Sequence, residues 1–370
     1  MPGVALSGTS ASSHPTVAVD CRWLLFGGAG RATQLLLRGL PAVANGDLRW
    51  RLWGPPEVRE WAWPEAEVVE DARDPRAMRS QRAWWSVPTA DLLLFLHQRP
   101  LRPVPSVTVI YDTIPVRHAP TWAGRRSRQV FLRASASLSR HVVTPSEFSR
   151  RCLERDLGLA RSRVSVIPLP ADEVFARRVL GRAAELGPDC EAALYVGRFA
   201  SHKNLARLVS AFGRTRFRRR GGRLILVGGT EAELASLLGR PLDEDERAFL
   251  DVRRGCSDDE LETLYATCRL LVQPSLEEGF GLPAWEALSC GLPVAASDGG
   301  SLPEIVADWA EPFSCRSESA MAEAIDRAAD RAEDSGMERR RQRADAFLGS
   351  SPSVADYASS MQAIVAGQLR

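Results

Sequence analysis

The chain has 370 residues and a mass of 40.6 kDa, which is enough for two domains of ordinary size. Apolar residues make up 45% of it and charged residues 25%, proportions that exclude a globally disordered protein. The net charge of +2 gives no reason to expect a nucleic-acid binder. That small value averages two unlike halves: residues 1–180 hold 25 basic and 16 acidic side chains (+9), and residues 181–370 hold 23 and 30 (−7).

Cysteine usage and the N-terminal composition indicate the compartment. The seven cysteines include no C-x-x-C pair, which favours reduced thiols in the cytoplasm over a disulfide framework or a zinc site. No apolar run reaches the roughly 18 residues of a membrane-spanning helix. Residues 1–15 are rich in Ser, Gly and Ala and lack the basic and apolar segments of a signal peptide, which predicts a disordered leader.

Short apolar strands alternate with helical stretches through residues 16–175. In chain order, the pattern predicts a strand over 16–20, a Gly-rich turn over 27–30, a helix over 31–40, strands over 48–53, 91–96, 107–111 and 141–144, a helix capped by Ser146 that runs to about 157, and a strand over 164–168. Strands that are apolar along their whole length indicate a parallel sheet covered on both faces.

The same alternation restarts after residues 168–188, a polar, proline-bearing stretch predicted to link two domains. The second half is predicted to hold strands over 192–196, 223–227, 270–273 and 293–296, and helices over 204–212, 231–238, 258–267, 283–290, 318–332 and 354–369. Two doubly wound α/β domains are therefore expected, over residues 16–175 and 188–350.

A Gly-rich loop directly after a buried strand carries the strongest chemical signal. Glu278 precedes three loop residues, Pro283 then opens a helix, and Glu286 lies about one turn inside it. The backbone N–H groups of the loop and the positive end of the helix favour an anion or a polar ligand. Both carboxylates are expected near the carboxyl ends of the strands, where open α/β sheets bind ligands. The simpler alternative is a capped helix with two solvated glutamates.

A second loop, between the strand over 192–196 and the next helix, carries Arg198 and Lys203. Lys203 is the one lysine among 48 basic residues, either by chance or because a compact ammonium is needed there. An ammonium beside a guanidinium at a helix start fits the two phosphates of a nucleotide diphosphate. The simpler alternative is a basic surface loop.

Together the two loops resemble those of the retaining glycosyltransferases of family 4, the group 1 glycosyl transferases, which have the GT-B architecture. The shared pattern is E-x7-E within EEGFGLPAWEALSCGLPVAASDGGSLPEIV, preceded about 80 residues earlier by VGRFASHKN. The resemblance spans roughly residues 17–310. It is closest to the branch with H-D-x-x-P after an N-domain strand, which includes mannosyl- and other hexosyltransferases.

The resemblance implies a role for each matching residue. Arg198 and Lys203 would bind the donor diphosphate, Glu278 would hydrogen-bond hydroxyls of the donor sugar, and Glu286 would hold the ribose. The stretch 252–256 would lie along the base, and the first Gly loop would approach the phosphates or the acceptor. The wider set of expected donor contacts is Gly28, Gly30, Val252, Arg253, Gly279, Phe280, Gly281 and Leu282.

One position departs from that branch. In VIYDTIP, Tyr111 stands where the branch has a His that faces the donor sugar, and Asp112 follows it. Several candidates for the catalytic role of that His remain. Tyr111 could serve as a hydroxyl donor, Asp112 could orient the acceptor, and His118 or His97 could supply an imidazole.

The resemblance implies two Rossmann-like domains facing a central cleft, with a C-terminal helix (352–370) that crosses back to the first domain. The implied reaction is transfer of a hexose, with mannose favoured, from a nucleotide diphosphate sugar to a glycan, lipid-linked or small-molecule acceptor, with retention and without a metal or other cofactor. A sugar-nucleotide epimerase, a phosphorylase and a non-catalytic sugar-nucleotide binding protein are the alternatives on this scaffold.

The basic first half suggests where such an enzyme would work. Eleven arginines lie between Arg117 and Arg163. They predict either a solvated basic face or peripheral contact with the anionic inner face of the cell membrane. The role expected from these features is bacterial polysaccharide biosynthesis in the cytoplasm.

Overall fold

The computed structural model describes residues 14–44, 46–71, 88–97, 104–187, 190–306, 308–333 and 336–370. All but the last two residues of the predicted leader lie outside these ranges. Within them, two parallel sheets form the cores of two α/β domains, in agreement with the predicted fold class.

The N-terminal domain is built on a seven-stranded sheet. Its strands are β1 (Thr16–Asp20), β2 (Arg49–Gly54), β3 (Glu67–Glu70), β4 (Leu92–Phe95), β5 (Ser106–Val109), β6 (His141–Thr144) and β7 (Val164–Val166). They lie in the order β3-β2-β1-β4-β5-β6-β7, and every neighbouring pair is parallel. All four residues of β4 are buried, as expected for a strand covered on both faces.

Four helices cover this sheet: α1 (Gly27–Val43), α2 (Ile114–Arg117), α3 (Trp122–Leu138) and α4 (Glu147–Leu157). The predicted cap of α4 is present, because Ser146 Oγ accepts a hydrogen bond from the Ser149 N–H at 3.0 Å. The glycines predicted as a turn form the first turn of α1 instead. The Gly30 N–H already donates to the Phe26 carbonyl at 3.0 Å, which is a helical hydrogen bond.

The C-terminal domain is built on a six-stranded sheet. Its strands are β8 (Cys190–Val196), β9 (Arg223–Val227), β10 (Leu250–Arg253), β11 (Cys268–Gln273), β12 (Val294–Ser297) and β13 (Glu311–Phe313). They lie in the order β10-β9-β8-β11-β12-β13, again with parallel neighbours throughout. The strand order reverses between β8 and β11, and ligands of open α/β sheets bind at such a point.

Helices then complete the structure. They are α5 (Glu173–Leu186), α6 (Leu205–Gly213), α7 (Arg216–Arg219), α8 (Glu231–Leu238), α9 (Glu244–Phe249), α10 (Asp258–Thr267), α11 (Leu282–Ser289), α12 (Leu302–Ile305), α13 (Glu318–Glu333), α14 (Met337–Ser350) and α15 (Val354–Leu369). None of the helices in the described ranges has both the length and the apolarity needed to cross a bilayer.

The stretch predicted as a linker contains the ordered helix α5. Its buried residues Phe175, Ala176, Val179 and Ala183 recur at helical spacing, and the helix packs against α10, α11 and α14 of the C-terminal domain. Asp172 caps the helix through a 3.0 Å hydrogen bond from the Phe175 N–H. The crossover between the domains is therefore shorter than the sequence suggested.

The final helix, α15, returns to the N-terminal domain and packs along α1. The two helices approach closely at Gly39. A Cβ atom on that residue would lie 2.1 Å from the Val354 carbonyl oxygen, so only glycine fits. The Ala171 N–H also donates to the Pro352 carbonyl at 3.2 Å, which joins the start of α15 to the crossover.

Candidate active site

The predicted sugar-binding carboxylate is held in a fixed position at the carboxyl end of β11. Glu278 is buried, with 7% of its surface exposed. Its Oε1 atom accepts hydrogen bonds from Lys203 Nζ at 2.6 Å, Gln273 Nε2 at 2.6 Å and Ser275 Oγ at 2.7 Å. The structure therefore brings the two predicted loops together at one ion pair.

Asn204, the residue after Lys203, holds the loop that carries Lys203. Asn204 has φ +61°, a left-handed conformation that Asn tolerates better than most residues. Its side-chain amide donates to the carbonyls of Pro274 at 3.0 Å and Cys315 at 2.8 Å. A surface cavity of about 370 Å³ borders the same loop, but neither Lys203 nor Glu278 lines it.

Arg198, the other predicted diphosphate ligand, is exposed. Across the described ranges its guanidinium makes no ion pair or hydrogen bond, and its carbonyl accepts from the Tyr195 hydroxyl at 3.4 Å. It lies close enough to His202 to act on that imidazole. Burial, and then Lys203, lower the pKa of His202 to about 4, and Arg198 contributes to the same shift. A free guanidinium and a paired ammonium thus stand on one loop.

The loop between Glu278 and α11 is anchored to the N-terminal domain. The Gly279 carbonyl accepts hydrogen bonds from Ser146 Oγ at 2.7 Å and Ser149 Oγ at 3.1 Å. A Cβ atom on Gly279 would lie 2.8 Å from the Tyr111 carbonyl oxygen. Glycine is therefore required at position 279 because the two domains touch there.

The rest of that loop packs inside the C-terminal domain. Gly281 has φ +96° where α11 begins, and a Cβ atom on it would lie 2.6 Å from Leu302 Cδ2. Phe280 is buried, with its ring centroid 5.3 Å from that of Trp285. These contacts hold the backbone of the loop in place where it enters α11.

Glu286, predicted to hold the ribose, already has two partners. Its Oε1 accepts from Arg31 Nε of the N-terminal domain at 3.0 Å, and its Oε2 accepts from the Tyr265 hydroxyl at 3.0 Å. Burial raises the pKa of Glu286, and the charge of Arg31 opposes that shift. A ribose at this position would share the carboxylate with Arg31, a residue that the sequence analysis did not single out.

Tyr111 and Asp112 lie at the end of β5, facing Gly279. Within the described ranges, the buried Tyr111 hydroxyl has no hydrogen-bond partner, and burial raises its pKa. Its ring centroid is 6.0 Å from that of His97, which in turn lies 4.4 Å from Trp23. A buried polar atom without a partner among the described residues is uncommon, so the Tyr111 hydroxyl has hydrogen-bonding capacity that these residues do not use.

Asp112 lies two residues before the short helix α2, and its Oδ1 accepts from the Ile114 N–H at 2.9 Å. Burial raises the pKa of its carboxyl group. The hydrogen bond from Ile114 opposes that shift, as does the charge of Lys203, and the charge of Glu278 adds to it. Asp112 is therefore a carboxylate of the N-terminal domain that interacts electrostatically with the Lys203–Glu278 pair.

His118 is turned to Glu277 rather than to Glu278. Its Nε2 lies 3.1 Å from Glu277 Oε2, and its ring centroid lies 5.1 Å from that of His202. Burial and the neighbouring Arg117 lower the pKa of His118, and Arg117 itself pairs with Glu277. Glu277 was not among the predicted site residues, although the Glu-Glu doublet before the Gly loop is a signal that could have revealed it.

The remaining predicted donor contacts occupy different surroundings. Gly28 faces the C-terminal domain, where a Cβ atom on it would lie 3.3 Å from Leu282 Cδ1. Gly30 must be glycine because of the segment that precedes α1, since a Cβ atom on Gly30 would lie 2.5 Å from the Leu24 carbonyl oxygen. Val252 and Arg253 end the edge strand β10, two strands from β8, and Arg253 pairs with Asp251 at 2.7 Å.

With this geometry in place, residues 183–346 match the family model of the glycosyl transferases group 1. The matched range contains Lys203, Glu278 and Glu286. Over this range, which is less than half of its length, the chain is similar to the glycosyl transferases group 1. This finding confirms the predicted resemblance for the C-terminal half.

Curated proteins that are named as glycosyltransferases are similar to about half of this chain. The chain is 30% identical over 186 residues to the O-antigen chain mannosyltransferase B of Escherichia coli, covering 48% of each protein. It is 30% identical over 190 residues to the lipopolysaccharide 1,2-N-acetylglucosaminetransferase of Salmonella typhimurium, covering 47% of this chain and 49% of that protein. The chain spans about half the length of these two relatives.

Solved structures resemble the whole chain. The sucrose-phosphate synthase of Thermosynechococcus elongatus superposes with a TM-score of 0.68 at 19% identity, covering 96% of this chain and 99% of that one. Anabaena HepE in complex with UDP and glucose gives a TM-score of 0.67 at 17% identity, covering 96% and 100%. These matches confirm the predicted GT-B fold, in which two Rossmann-like domains face each other.

Proposed function

We propose that this chain is a retaining hexosyltransferase, which transfers a hexose from a nucleotide diphosphate sugar to a hydroxyl acceptor. The ion pair between Lys203 Nζ and Glu278 Oε1, at 2.6 Å, is the observation that carries the proposal. It places a cation suited to a diphosphate beside a carboxylate suited to sugar hydroxyls, at the reversal point of the C-terminal sheet.

The chemical step breaks the bond between the anomeric carbon and the diphosphate oxygen through an oxocarbenium-like state. Negative charge then grows on the leaving phosphate. Lys203, the exposed guanidinium of Arg198 and the N-terminus of α11 are the groups that stabilise this charge. Because these groups are part of the chain, the reaction in this proposal uses no metal ion, and chelators should leave the rate unchanged.

Retention follows from attack of the acceptor on the same face as the leaving group, with the acceptor proton passing to the departing phosphate. Neither glutamate of the E-x7-E pair acts as a nucleophile in this scheme. Glu278 Oε1 already accepts three hydrogen bonds, and Glu286 is shared between Arg31 and Tyr265. Their roles are to hold sugar and ribose hydroxyls.

The N-terminal domain supplies Tyr111 and Asp112 to the sugar and acceptor side of the reaction. The buried Tyr111 hydroxyl is free to hydrogen-bond a substrate oxygen, which replaces the imidazole found in the resembling branch. Asp112 orients the acceptor hydroxyl. His118 is assigned no catalytic role here, because its imidazole contacts Glu277.

Mannose is the sugar we propose for the donor, and a growing polysaccharide or lipid-linked glycan is the proposed acceptor. The names of the relatives support both assignments. They include the O-antigen chain mannosyltransferase B and the serotype-specific mannosyltransferase WbdA of Escherichia coli. GDP-mannose is therefore the first donor to test.

We also propose that α3 rests on an anionic membrane surface at the cytoplasmic face. This helix exposes Trp122 by 75% and Val130 by 60%, and the intervening arginines 125, 126 and 128 are exposed as well. Exposed aromatic and basic side chains on one helix suit the interface of a bilayer with anionic lipids. Sedimentation with phosphatidylglycerol vesicles should retain the chain, and Trp122→Ala should reduce that binding.

Acceptor-dependent release of nucleoside diphosphate tests the proposed reaction. The purified chain is incubated with a panel of nucleotide sugars, with and without glycan acceptors, and the anomeric configuration of the product is read by NMR. We expect release that requires an acceptor and a product of retained configuration. Conversion of the sugar without acceptor would indicate an epimerase. Donor binding without any release across the panel would indicate a non-catalytic binding protein.

A further inference from the structure

Two cysteines lie side by side at the amino ends of the central strands of the C-terminal sheet. Cys190 opens β8, Cys268 opens β11, and the two residues are direct partners in the parallel pairing. Neighbouring strands lie about 4.8 Å apart. A disulfide needs Cα atoms about 4.4 to 6.8 Å apart, so the two backbones stand at a bonding separation.

The two thiols differ in reactivity. The neighbouring Cys268 thiol lowers the pKa of Cys190, burial opposes this shift, and the charges of Arg223 and Arg253 support it. The neighbouring Cys190 thiol and burial raise the pKa of Cys268. Cys190 is partly exposed and Cys268 is buried. Cys190 is therefore the thiolate that a reagent meets first, and Cys268 stands behind it.

The backbone at this end of the ladder leaves room for a small adjustment. The pairing of β11 with β8 shifts register between Cys268 and Leu270, so the regular ladder does not hold the pair rigidly. Within the described ranges, the pKa values of four other thiols are shifted mainly by burial, with contributions from charged groups and hydrogen bonds and none from another cysteine; they are Cys21, Cys256, Cys290 and Cys315.

We propose that Cys190 and Cys268 form a reversible redox pair that a low-molecular-weight disulfide oxidises. The Cys190 thiolate attacks the small disulfide, which forms a mixed disulfide and releases one small thiol. Cys268 then loses its proton to solvent and attacks the Cys190 Sγ, which releases the second small thiol. Two protein thiols and one small disulfide become one protein disulfide and two small thiols, with two electrons transferred.

The bond would join β8 and β11 at their amino ends, whereas Lys203 and Glu278 follow the carboxyl ends of the same strands. Oxidation should therefore stabilise the C-terminal domain and leave the site groups in place. A disulfide that closes a long loop restricts the unfolded chain. We expect the melting temperature to rise by about 3 °C or more and turnover to change by less than about twofold.

Peptide mapping of the intact chain tests the pair. The native protein is incubated with glutathione disulfide at pH 7.5, free thiols are alkylated, and tryptic peptides are analysed by mass spectrometry. The diagnostic product links residues 183–198 to residues 255–269. Because the second peptide also contains Cys256, the mapping is repeated in Cys256→Ser. We expect the link to form in both proteins and to disappear on reduction with dithiothreitol.

Two further variants keep the test decisive. Cys268→Ser should stop at a mixed disulfide on Cys190 and should show no rise in melting temperature on oxidation. Cys315→Ser, which lies outside the pair, should oxidise like the wild type. The proposal is overturned if the wild-type protein accumulates only the mixed disulfide at Cys190, if Cys190 does not react, or if the link runs to Cys256.

Discussion

The two domains hold their proposed site residues in different ways. In the C-terminal domain, Glu278 accepts from Lys203, Gln273 and Ser275 of its own domain. In the N-terminal domain, the Tyr111 hydroxyl has no partner in the described ranges, and Asp112 is held by one backbone N–H. The donor side is thus organised before any substrate binds, whereas the opposite side has hydrogen-bonding capacity left for a substrate.

The contacts between the domains follow the charge split of the sequence. Arg31 and Arg117 come from the basic first half, and they pair with Glu286 and Glu277 of the acidic second half. Each pair places an N-terminal arginine beside the E-x7-E segment. Two ion pairs between the basic and the acidic half of the chain therefore lie at the interface between the domains.

The largest expected effect comes from a substitution in the C-terminal domain, where Glu278 is already held by three hydrogen bonds. Glu278→Gln should lower kcat by about 100-fold or more, because it removes the charge that pairs with Lys203 and that we propose to face the donor sugar. Steady-state kinetics with saturating donor measure this. Glu262→Gln is the matched control: Glu262 is also buried and pairs with Arg178 and Arg182, away from the site. Equal losses in the two variants would mean that Glu278 acts through stability alone.

The unpartnered hydroxyl on the opposite side predicts a smaller effect. Tyr111→Phe should lower kcat/KM by about 10-fold through the loss of one substrate hydrogen bond, which is worth about 1 kcal/mol or slightly more. The melting temperature should stay the same or rise, because the native protein loses no hydrogen bond. Unchanged kinetics would show that the hydroxyl does not contact substrate.

The interface between the domains predicts a still smaller effect. Glu277→Gln weakens the contacts to Arg117 and His118 and should raise the donor KM by about 3- to 5-fold, with little change in kcat. Glu233→Gln, in a capping box on the exposed side of the C-terminal domain, should leave KM unchanged. A fall in kcat with constant KM would contradict a role in holding the domains together.

A further effect is expected in the free energy of unfolding at acid pH. Burial lowers the pKa of His97 to about 4, so the unfolded chain takes up this proton first as the pH falls below 6.5. His97 should therefore cost about 1 kcal/mol of stability at pH 5.5 relative to pH 7.5. His97→Gln should melt with a shallower pH dependence over that range, as measured by calorimetry. An identical slope would show that His97 is not buried in its neutral form.

The two parallel sheets could be predicted from the sequence, because their strands are apolar runs bounded by turn residues. The resemblance assigned Lys203 and Glu278 to one donor, and the structure brings them together because both follow strands of one parallel sheet. Reasoning of this kind could not predict the partner of Glu286. Arg31 is 255 residues away and belongs to the other domain. No pattern within one domain fixes how two domains dock.

Helix α14 shows a second limit of the sequence patterns. Its segment is rich in arginine and lacks a clear apolar stripe, so hydrophobic periodicity gave no helix. Arg340 secures it instead, by donating to the carbonyls of Cys290 at 3.0 Å, Ala266 at 2.6 Å and Tyr265 at 2.5 Å. A buried arginine that satisfies helix-end carbonyls cannot be distinguished from a solvated one in the sequence.

Donor binding measured by calorimetry tests the central claim most directly, because it needs no acceptor. Wild type, Lys203→Ala and the control Arg214→Ala are titrated with GDP, UDP and ADP. Arg214 is exposed at the far end of α6 and pairs with Glu318. We predict that wild type and Arg214→Ala bind one of these nucleotides equally well, and that Lys203→Ala binds it at least about 10-fold more weakly. Equal affinity of Lys203→Ala and wild type would contradict the proposed donor site.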